Sequence, residues 1–335
     1  MNLYYYILLT PVLILIINFF LNKKKILLSI TGDKHQLFVE KKSIPLSGGI
    51  VIAILSIFIF NFKIENYYFI FIIIFFIGLL SDAKILKSAK KRFFFQIFFI
   101  FLFVVYYDLS ISNVRVFFLD YFLENKIFSY FFVTFCLLIV VNGSNFIDGL
   151  NGLSLGYYTI ITGILLYLNL YDNFLNLNIF LSIYLIIFVY LLLFNYFNKL
   201  YLGDSGSYLI GFSIATLLIV TYNNFTNISP FFVVLLLWYP CFENLFSIIR
   251  KFKFNLSPLK ADNKHFHQLL FNYLKKKFNY SHLFANNLSS IIINIFNLGI
   301  FTAGSLNIFD SKLQITLIFT CIIVYGYLYF RLFTF

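Results

Sequence analysis

Long apolar runs, each closing on a short polar string, govern what this 335-residue chain can fold into. A helix crosses a bilayer with about 17 to 25 mostly apolar residues. That requirement gives about eleven helices, at 3–21, 44–62, 66–80, 93–107, 127–142, 154–170, 176–194, 205–221, 229–248, 285–303 and 313–334. Composition agrees: 61% of residues are hydrophobic and only 11% charged, where a soluble chain carries about 25% charged. The expected fold class is therefore all-α, a polytopic membrane protein forming a single integral domain over 1–335. The first run, Tyr4 to Leu21, is too long for a signal-peptide core and has no small-residue cleavage site behind it, so it reads as a retained span. Cys136, Cys241 and Cys321 lie in or beside separate apolar segments without metal-ligand spacing and read as reduced core thiols.

Basic residues orient the chain. Alternate loops, counted with the C-terminus, divide the 25 Lys and Arg into 21 on one side and 4 on the other. Cytoplasmic loops carry the excess of positive charge, so the N-terminus is expected outside and the C-terminus inside. The net charge of +12 then anchors the protein against anionic headgroups. Nothing in it points to nucleic acid.

Four polar strings fall on that rich side: 78–96, 142–153, 201–211 and 257–270. They hold Asp82, Asp148, Asp204, Asp262, His265 and His267, and ionisable groups close to lipid persist where they are paired, solvated or used. In the first, Asp82 precedes Lys84, Lys87, Lys90, Lys91 and Arg92. A capping aspartate on a basic loop accounts for this, and so does a carboxylate ligand beside an arginine that clamps phosphate. In the second, Asn142, Asn145 and Asp148 recur every three residues and share one helical face. Two amides and a carboxylate suit a uracil edge, a ribose or an amide-bearing sugar. In the third, Gly203 and Gly206 bracket Asp204, and Ser205 and Ser207 lead into an apolar helix. A helix start attracts phosphate, and an aspartate there suits Mg²⁺. In the fourth, His265 and His267 are two apart, a spacing for a loop or extended turn, with Asp262 and Lys264 nearby. Such a donor-rich segment fits a pyrophosphate, whereas zinc would need further Cys or His ligands.

At these residues the chain resembles the polyprenyl-phosphate N-acetylhexosamine-1-phosphate transferases, glycosyltransferase family 4. GDKH (32–35) with PLSGG (45–49) is similar to the family's first-loop pattern. The later strings resemble its paired-aspartate loop, its Asn-x-x-Asn-x-x-Asp-Gly and Gly-Asp-x-Gly-Ser motifs, and its His-x-His-His loop. The resemblance runs to about residue 270 and implies ten or eleven spans. It also implies transfer of a sugar-1-phosphate from a UDP-sugar to polyprenyl (undecaprenyl) phosphate, with release of UMP, at a bacterial plasma membrane. That is the opening step of a lipid-linked envelope glycan. The implied cofactor is Mg²⁺, with Mn²⁺ as the alternative, held by Asp204 and Asp82. Asp82, Asp204 and His265 would be catalytic, and His35, Arg92, Asn142, Asn145, Asp148, Lys199, Lys264 and His267 would bind substrate. Homodimerisation stays open.

Four positions depart from the family pattern. Ser81 stands for the first of the paired aspartates, Asn151 for a later aspartate, Gln268 for the last histidine, and Glu243 for a frequent aspartate. They place the chain nearer the GlcNAc type than the peptidoglycan translocase. Losing a base at position 81 is tolerable, because a phosphate monoester is already largely dianionic at neutral pH, with a second pKa of about 6. The competing class is a secondary transporter for an anionic nucleotide or sugar-phosphate. Transporters, however, gather polar groups near the bilayer midplane, and here they gather at the ends of the runs.

Overall fold

The structure, a computed structural model, describes residues 3–30, 43–60, 68–170, 175–255, 257 and 263–334. His35 and Asp262 lie outside the described residues. In order, the elements are α1 (Leu3–Lys24), β1 (Leu28–Ile30), β2 (Ser43–Pro45), α2 (Gly48–Phe60), α3 (Tyr68–Asp82), α4 (Ala89–Tyr106), α5 (Phe117–Leu123) and α6 (Lys126–Ile147). There follow α7 (Leu153–Tyr167), α8 (Leu175–Tyr196), α9 (Gly203–Asn224), α10 (Pro230–Leu236), α11 (Trp238–Lys253), α12 (Phe266–Phe278), α13 (His282–Ser305) and α14 (Ser311–Phe333). Six helices, α1, α6, α8, α9, α13 and α14, are long and apolar enough to cross a membrane, and the bent pair α10–α11 makes a seventh candidate. The chain is a multi-pass membrane protein. Shorter apolar helices, α3 and α7, match two further expected runs.

The expected boundaries fail in four places, each for a physical reason. Residues 43–45 do not start a helix: they pair antiparallel with β1, Leu28 opposite Pro45 and Ile30 opposite Ser43. The run 229–248 is not one helix, because α10 and α11 meet at a bend of 74°. Pro240, in the first turn of α11, has no N–H to offer the Leu236 carbonyl. That carbonyl instead accepts from the Tyr157 hydroxyl of α7 at 2.7 Å. The 249–284 loop contains α12, and the loop after α4 contains α5. Both are short helices with charged or aromatic faces, which a span-length window passes over.

Helix α9 is buried along nearly its whole length and packs on α2, α3 and α6. Small residues allow that approach. A Cβ on Gly78 of α3 would stand 2.4 Å from the Ser205 Cα. At the far end Arg115 ties the loops together, donating to the carbonyls of Asn227 at 2.8 Å and Phe309 at 3.2 Å. The three cysteines are free thiols.

Candidate active site at the N-terminus of helix α9

The start of α9 is held by a carboxylate from another helix. Asp82, the last residue of α3, accepts from the Asp204 N–H at 2.8 Å, the Ser205 N–H at 3.0 Å and the Ser205 hydroxyl at 2.6 Å. These are the orphan donors of a helix N-terminus, where negative charge is favoured. Gly203, at φ 75°, makes the turn into α9, and a Cβ there would press on Asp82 Oδ2 at 2.7 Å.

Asp204 lies one residue inside this junction and is about three-quarters buried, with a side-chain exposure of 25%. Its Oδ2 accepts from the Ser81 hydroxyl at 2.5 Å and pairs with the Arg92 guanidinium, which also donates to Ser81. Its Oδ1 accepts from Asn145 Nδ2 at 2.6 Å, and the same amide reaches Ser207 Oγ at 3.1 Å. Asp82, Arg92, Asn145 and Asp204 thus meet at one helix end, with Ser81 as the hydroxyl between arginine and carboxylate. Arg92 keeps a buried Nε–H without a protein partner among the described residues.

Helix α6 runs five residues past its expected end at 142, so its last polar residues are helical. Asn142 donates to Gln96 of α4 at 3.0 Å, Asn145 to Asp204, and Asp148 caps the helix. Burial, with the nearby carboxylates of Asp204 and Asp82, raises the pKa of Asp148 well above the usual carboxylate range.

The histidine string reaches the same helix end. His265 is the N-cap of α12 and His267 lies in its first turn, which corrects the expectation of a loop or extended turn. Their rings stand 5.6 Å apart and nearly parallel. His267 is fully buried, and both its ring nitrogens lack a protein partner among the described residues. Burial pushes its pKa down to about 3, so it is neutral at physiological pH. It lies against Gly149, where a Cβ would stand 2.5 Å from His267 Nε2. His265 stacks near Phe146, with ring centres 5.4 Å apart.

Glu243 of α11 orients His265. It is 1% exposed and takes His265 Nδ1 at 2.9 Å, the Phe266 N–H at 3.4 Å and the Tyr325 hydroxyl of α14 at 2.8 Å. Three donors converging on one carboxylate put the hydrogen of His265 on Nδ1, as in carboxylate–histidine pairs elsewhere. Gln268 returns a bond to the junction, accepting from the His265 N–H at 3.2 Å.

Two expected cations lie differently. Lys264 points toward aromatic rings, its ammonium 5.1 Å from the Phe333 ring centre and 5.8 Å from that of Phe254. Lys199 is exposed in the turn before α9, and its carbonyl accepts from Asn18 at 3.0 Å. A buried cation that charge counting left among the membrane anchors, Arg250, donates to the Lys264 carbonyl, to Tyr329 Oη at 2.8 Å and to Ser247 Oγ at 3.2 Å. It braces the approach to the histidines.

The Asp148–Gly152 turn is held by asparagines that the sequence reading passed over. Asn286 accepts from the Asn151 N–H at 2.7 Å, Asn195 from the Gly152 N–H at 2.5 Å, and Asn294 donates to the Gly152 carbonyl at 2.9 Å. The Asn151 side chain, at the variant position, donates to Asn198 Oδ1 at 2.6 Å. Asn286, Asn294 and Asn297 recur on the buried face of α13, and polar residues facing a membrane-protein interior at helical spacing are the signal for such a role.

Fold and site together define a multi-pass membrane protein with a cluster of carboxylates, amides, an arginine and histidines at the ends of its helices. Residues 64–222 match the model of glycosyl transferase family 4. The chain is 27% identical over 241 residues to the undecaprenyl-phosphate alpha-N-acetylglucosaminyl 1-phosphate transferase of Escherichia coli O157:H7, covering 68% of this chain and 65% of that protein. It is 29% identical over 204 residues to the probable undecaprenyl-phosphate N-acetylglucosaminyl 1-phosphate transferase of Bacillus subtilis, covering 59% of this chain and 55% of that one. A Salmonella typhi transferase of the same name is 24% identical over 241 residues. The matches thus span less than two thirds of these relatives.

Proposed function

We propose that the chain transfers a sugar-1-phosphate, an N-acetylhexosamine-1-phosphate, from a UDP-sugar to polyprenyl phosphate at the cytoplasmic face of a bacterial plasma membrane. One observation carries this reading. Residues of three separate polar strings converge on the N-terminus of α9, with Asp82, Ser81 and Arg92 from the first, Asn145 from the second and Asp204 from the third. The fourth string joins the second where His267 meets Gly149. A positive helix end beside an arginine suits a diphosphate, and the amides and carboxylate of α6 suit a nucleoside or sugar. The basic-residue asymmetry of the loops supports the orientation, and α2, α3, α4 and α7 would complete the eleven spans.

In the proposed reaction an oxygen of the polyprenyl phosphate bonds to the β-phosphorus of the UDP-sugar. The bond from that phosphorus to the bridging oxygen breaks, and the oxygen leaves with UMP. Phosphoryl transfer depends on positioning and charge neutralisation more than on covalent chemistry. Arg92, with its spare Nε–H, would hold the diphosphate. His265, set by Glu243, and the neutral His267 would face the leaving UMP, and Asn142, Asn145 and Asp148 the nucleoside or sugar.

Mg²⁺ is the implied cofactor. Among the described residues no group of three His, Cys, Asp or Glu could hold a metal alone. Mg²⁺ does not need one, since it binds through one or two carboxylates plus phosphate oxygens and waters. Asp204 fits that role. Asp82 fits as its helper, because Oδ1, with one hydrogen bond, keeps a second lone pair. Bound there, the ion would neutralise charge on the diphosphate. The test is UMP release by purified protein given undecaprenyl phosphate and a panel of UDP-sugars. Release with UDP-GlcNAc or another UDP-N-acetylhexosamine supports the reading, and no release from any of them overturns it.

A further inference from the structure

A cavity of about 490 Å³ lies between α11, α12, α13 and α14, away from the Asp204 cluster. Its size is that of a ligand site. At its inner end are Trp238 and Asn297, whose polar groups are already used: Trp238 Nε1–H donates to Asn297 Oδ1 at 2.8 Å, and Asn297 Nδ2 to the Ile293 carbonyl at 2.9 Å. Beside them Tyr239 also lines the cavity, its buried hydroxyl without a protein partner among the described residues. The walls include Ile292 and Leu328, both exposed apolar side chains. At the other end stand Lys277, in the last turn of α12, and Arg331, in the last turn of α14. Lys277 spends one hydrogen on Tyr273 Oη at 2.6 Å, leaving two. Among the described residues no carboxylate lines the cavity.

We infer that this cavity is a binding site for an anionic phospholipid, with an acyl chain in the apolar slot and the phosphate between Lys277 and Arg331. An apolar slot ending in two cations with no counter-charge is complementary to a chain ending in a phosphate, and basic pockets between membrane helices hold anionic headgroups. The occupant is not the reacting polyprenyl phosphate. None of α3, α4, α6 or α9, which carry the Asp204 cluster, lines the cavity. The site nonetheless borders the histidines. Tyr325 and Phe266 form part of its wall, and Tyr325 is the residue whose hydroxyl holds Glu243. A bound lipid therefore braces the Tyr325–Glu243–His265 chain of hydrogen bonds.

The chain has one tryptophan, Trp238, and it lines the cavity, so it reports occupancy directly. The full chain is reconstituted in phosphatidylcholine vesicles with a small fraction of phosphatidylglycerol, and either lipid is brominated on its acyl chains in turn. Brominated phosphatidylglycerol should quench Trp238 at roughly thirtyfold lower mole fraction than brominated phosphatidylcholine, the preference two surface cations give. Lys277→Gln with Arg331→Gln should abolish the preference. Lys276→Gln, an exposed neighbour that does not line the cavity, should leave it intact. Equal quenching by the two lipids, or a preference that survives the double substitution, overturns the inference. Quenching needs no turnover, so its outcome is independent of whether the transferase reading holds.

Discussion

Glu243→Gln tests whether the histidine at the mouth of α12 acts through its buried carboxylate. The wild-type side chain serves three donors, His265 Nδ1 at 2.9 Å, Tyr325 Oη at 2.8 Å and the Phe266 N–H at 3.4 Å, with almost no solvent contact. Glutamine has one oxygen and one NH₂. If the oxygen stays on His265, the NH₂ faces Tyr325, whose hydroxyl turns to accept. If it flips, the NH₂ faces His265 and favours the tautomer with hydrogen on Nε2. Exchanging charge-assisted bonds for neutral ones costs about 1 to 1.5 kcal/mol of stability. Residues that orient a working histidine are worth roughly 10- to 100-fold in function, or about 1.4 to 2.7 kcal/mol in the barrier. Turnover in the UMP-release assay should fall by that factor, with the KM for the UDP-sugar within about twofold of wild type, because the lost interaction belongs to the transition state.

A general loosening of the fold would also slow the enzyme, so the deciding comparison is a double-substitution cycle with His265→Ala. If Glu243 works only through His265, adding Glu243→Gln to His265→Ala should cost nothing further, and the coupling should equal the single-variant effect. Additive losses, or turnover in Glu243→Gln above about a third of wild type, would refute the positioning role.

Asp204→Asn keeps the shape at the head of α9 but removes the charge paired with Arg92. Loss of a metal-assisted step costs several kcal/mol, so UMP release should drop at least roughly a thousandfold across a Mg²⁺ titration, with folded protein unchanged. Asp120→Asn, whose side chain serves the Val114 N–H at the far end, should leave release unaltered. Gly149→Ala drives a methyl to within 2.5 Å of His267 Nε2, and activity should be lost while the protein still extracts as a monodisperse species. Ser81→Asp adds a carboxylate beside the one arginine already shared with Asp204, and substantial UMP release should remain, since the dianionic acceptor needs no base there. A jump from near zero would instead mean that the wild-type site is inactive. His267 titrates near 3 when folded and about 6.5 when unfolded. The unfolded chain therefore binds the extra proton between those values, and stability is full above the upper one and lost as pH falls toward the lower. Thermal unfolding should be more acid-sensitive in wild type than in His267→Gln between pH 6.5 and 4.5, and parallel curves would place the imidazole in a wetter environment.

What was legible in the sequence, and what was not, divides along a physical line. Apolar length and terminal polar strings are local signals, and they located most of the long apolar helices and put Asn142 and Asn145 in the last turns of α6. Interactions that need two distant helices left only faint traces. Glu243 looked like a conservative departure, yet it ties α11, α12 and α14 together through His265 and Tyr325. The bend between α10 and α11 could have been suspected from Pro240, but the Tyr157 hydroxyl that compensates for it is unreadable without the packing of α7. Lys264 and Arg250 show the same limit. Side by side in the count of basic residues, one lies over aromatic rings and the other is buried as a brace for the backbone of the first.

Asn151 carries that reasoning furthest. As a departure from the family pattern it reads as a missing charge. In the structure its N–H is held by Asn286 and its amide by Asn198, in a turn pinned again by Asn195 and Asn294. A carboxylate at 151 would set a third negative group close to Asp148, whose pKa is already raised by burial and by Asp204 and Asp82. It would also have no hydrogen to give Asn198 Oδ1. An amide keeps position 151 neutral and bonded, so the glycine that touches His267 stays where the histidine needs it. Departure at 151 is thus compensated within the same asparagine cluster, which is the expectation for a working variant site and not for a decaying one.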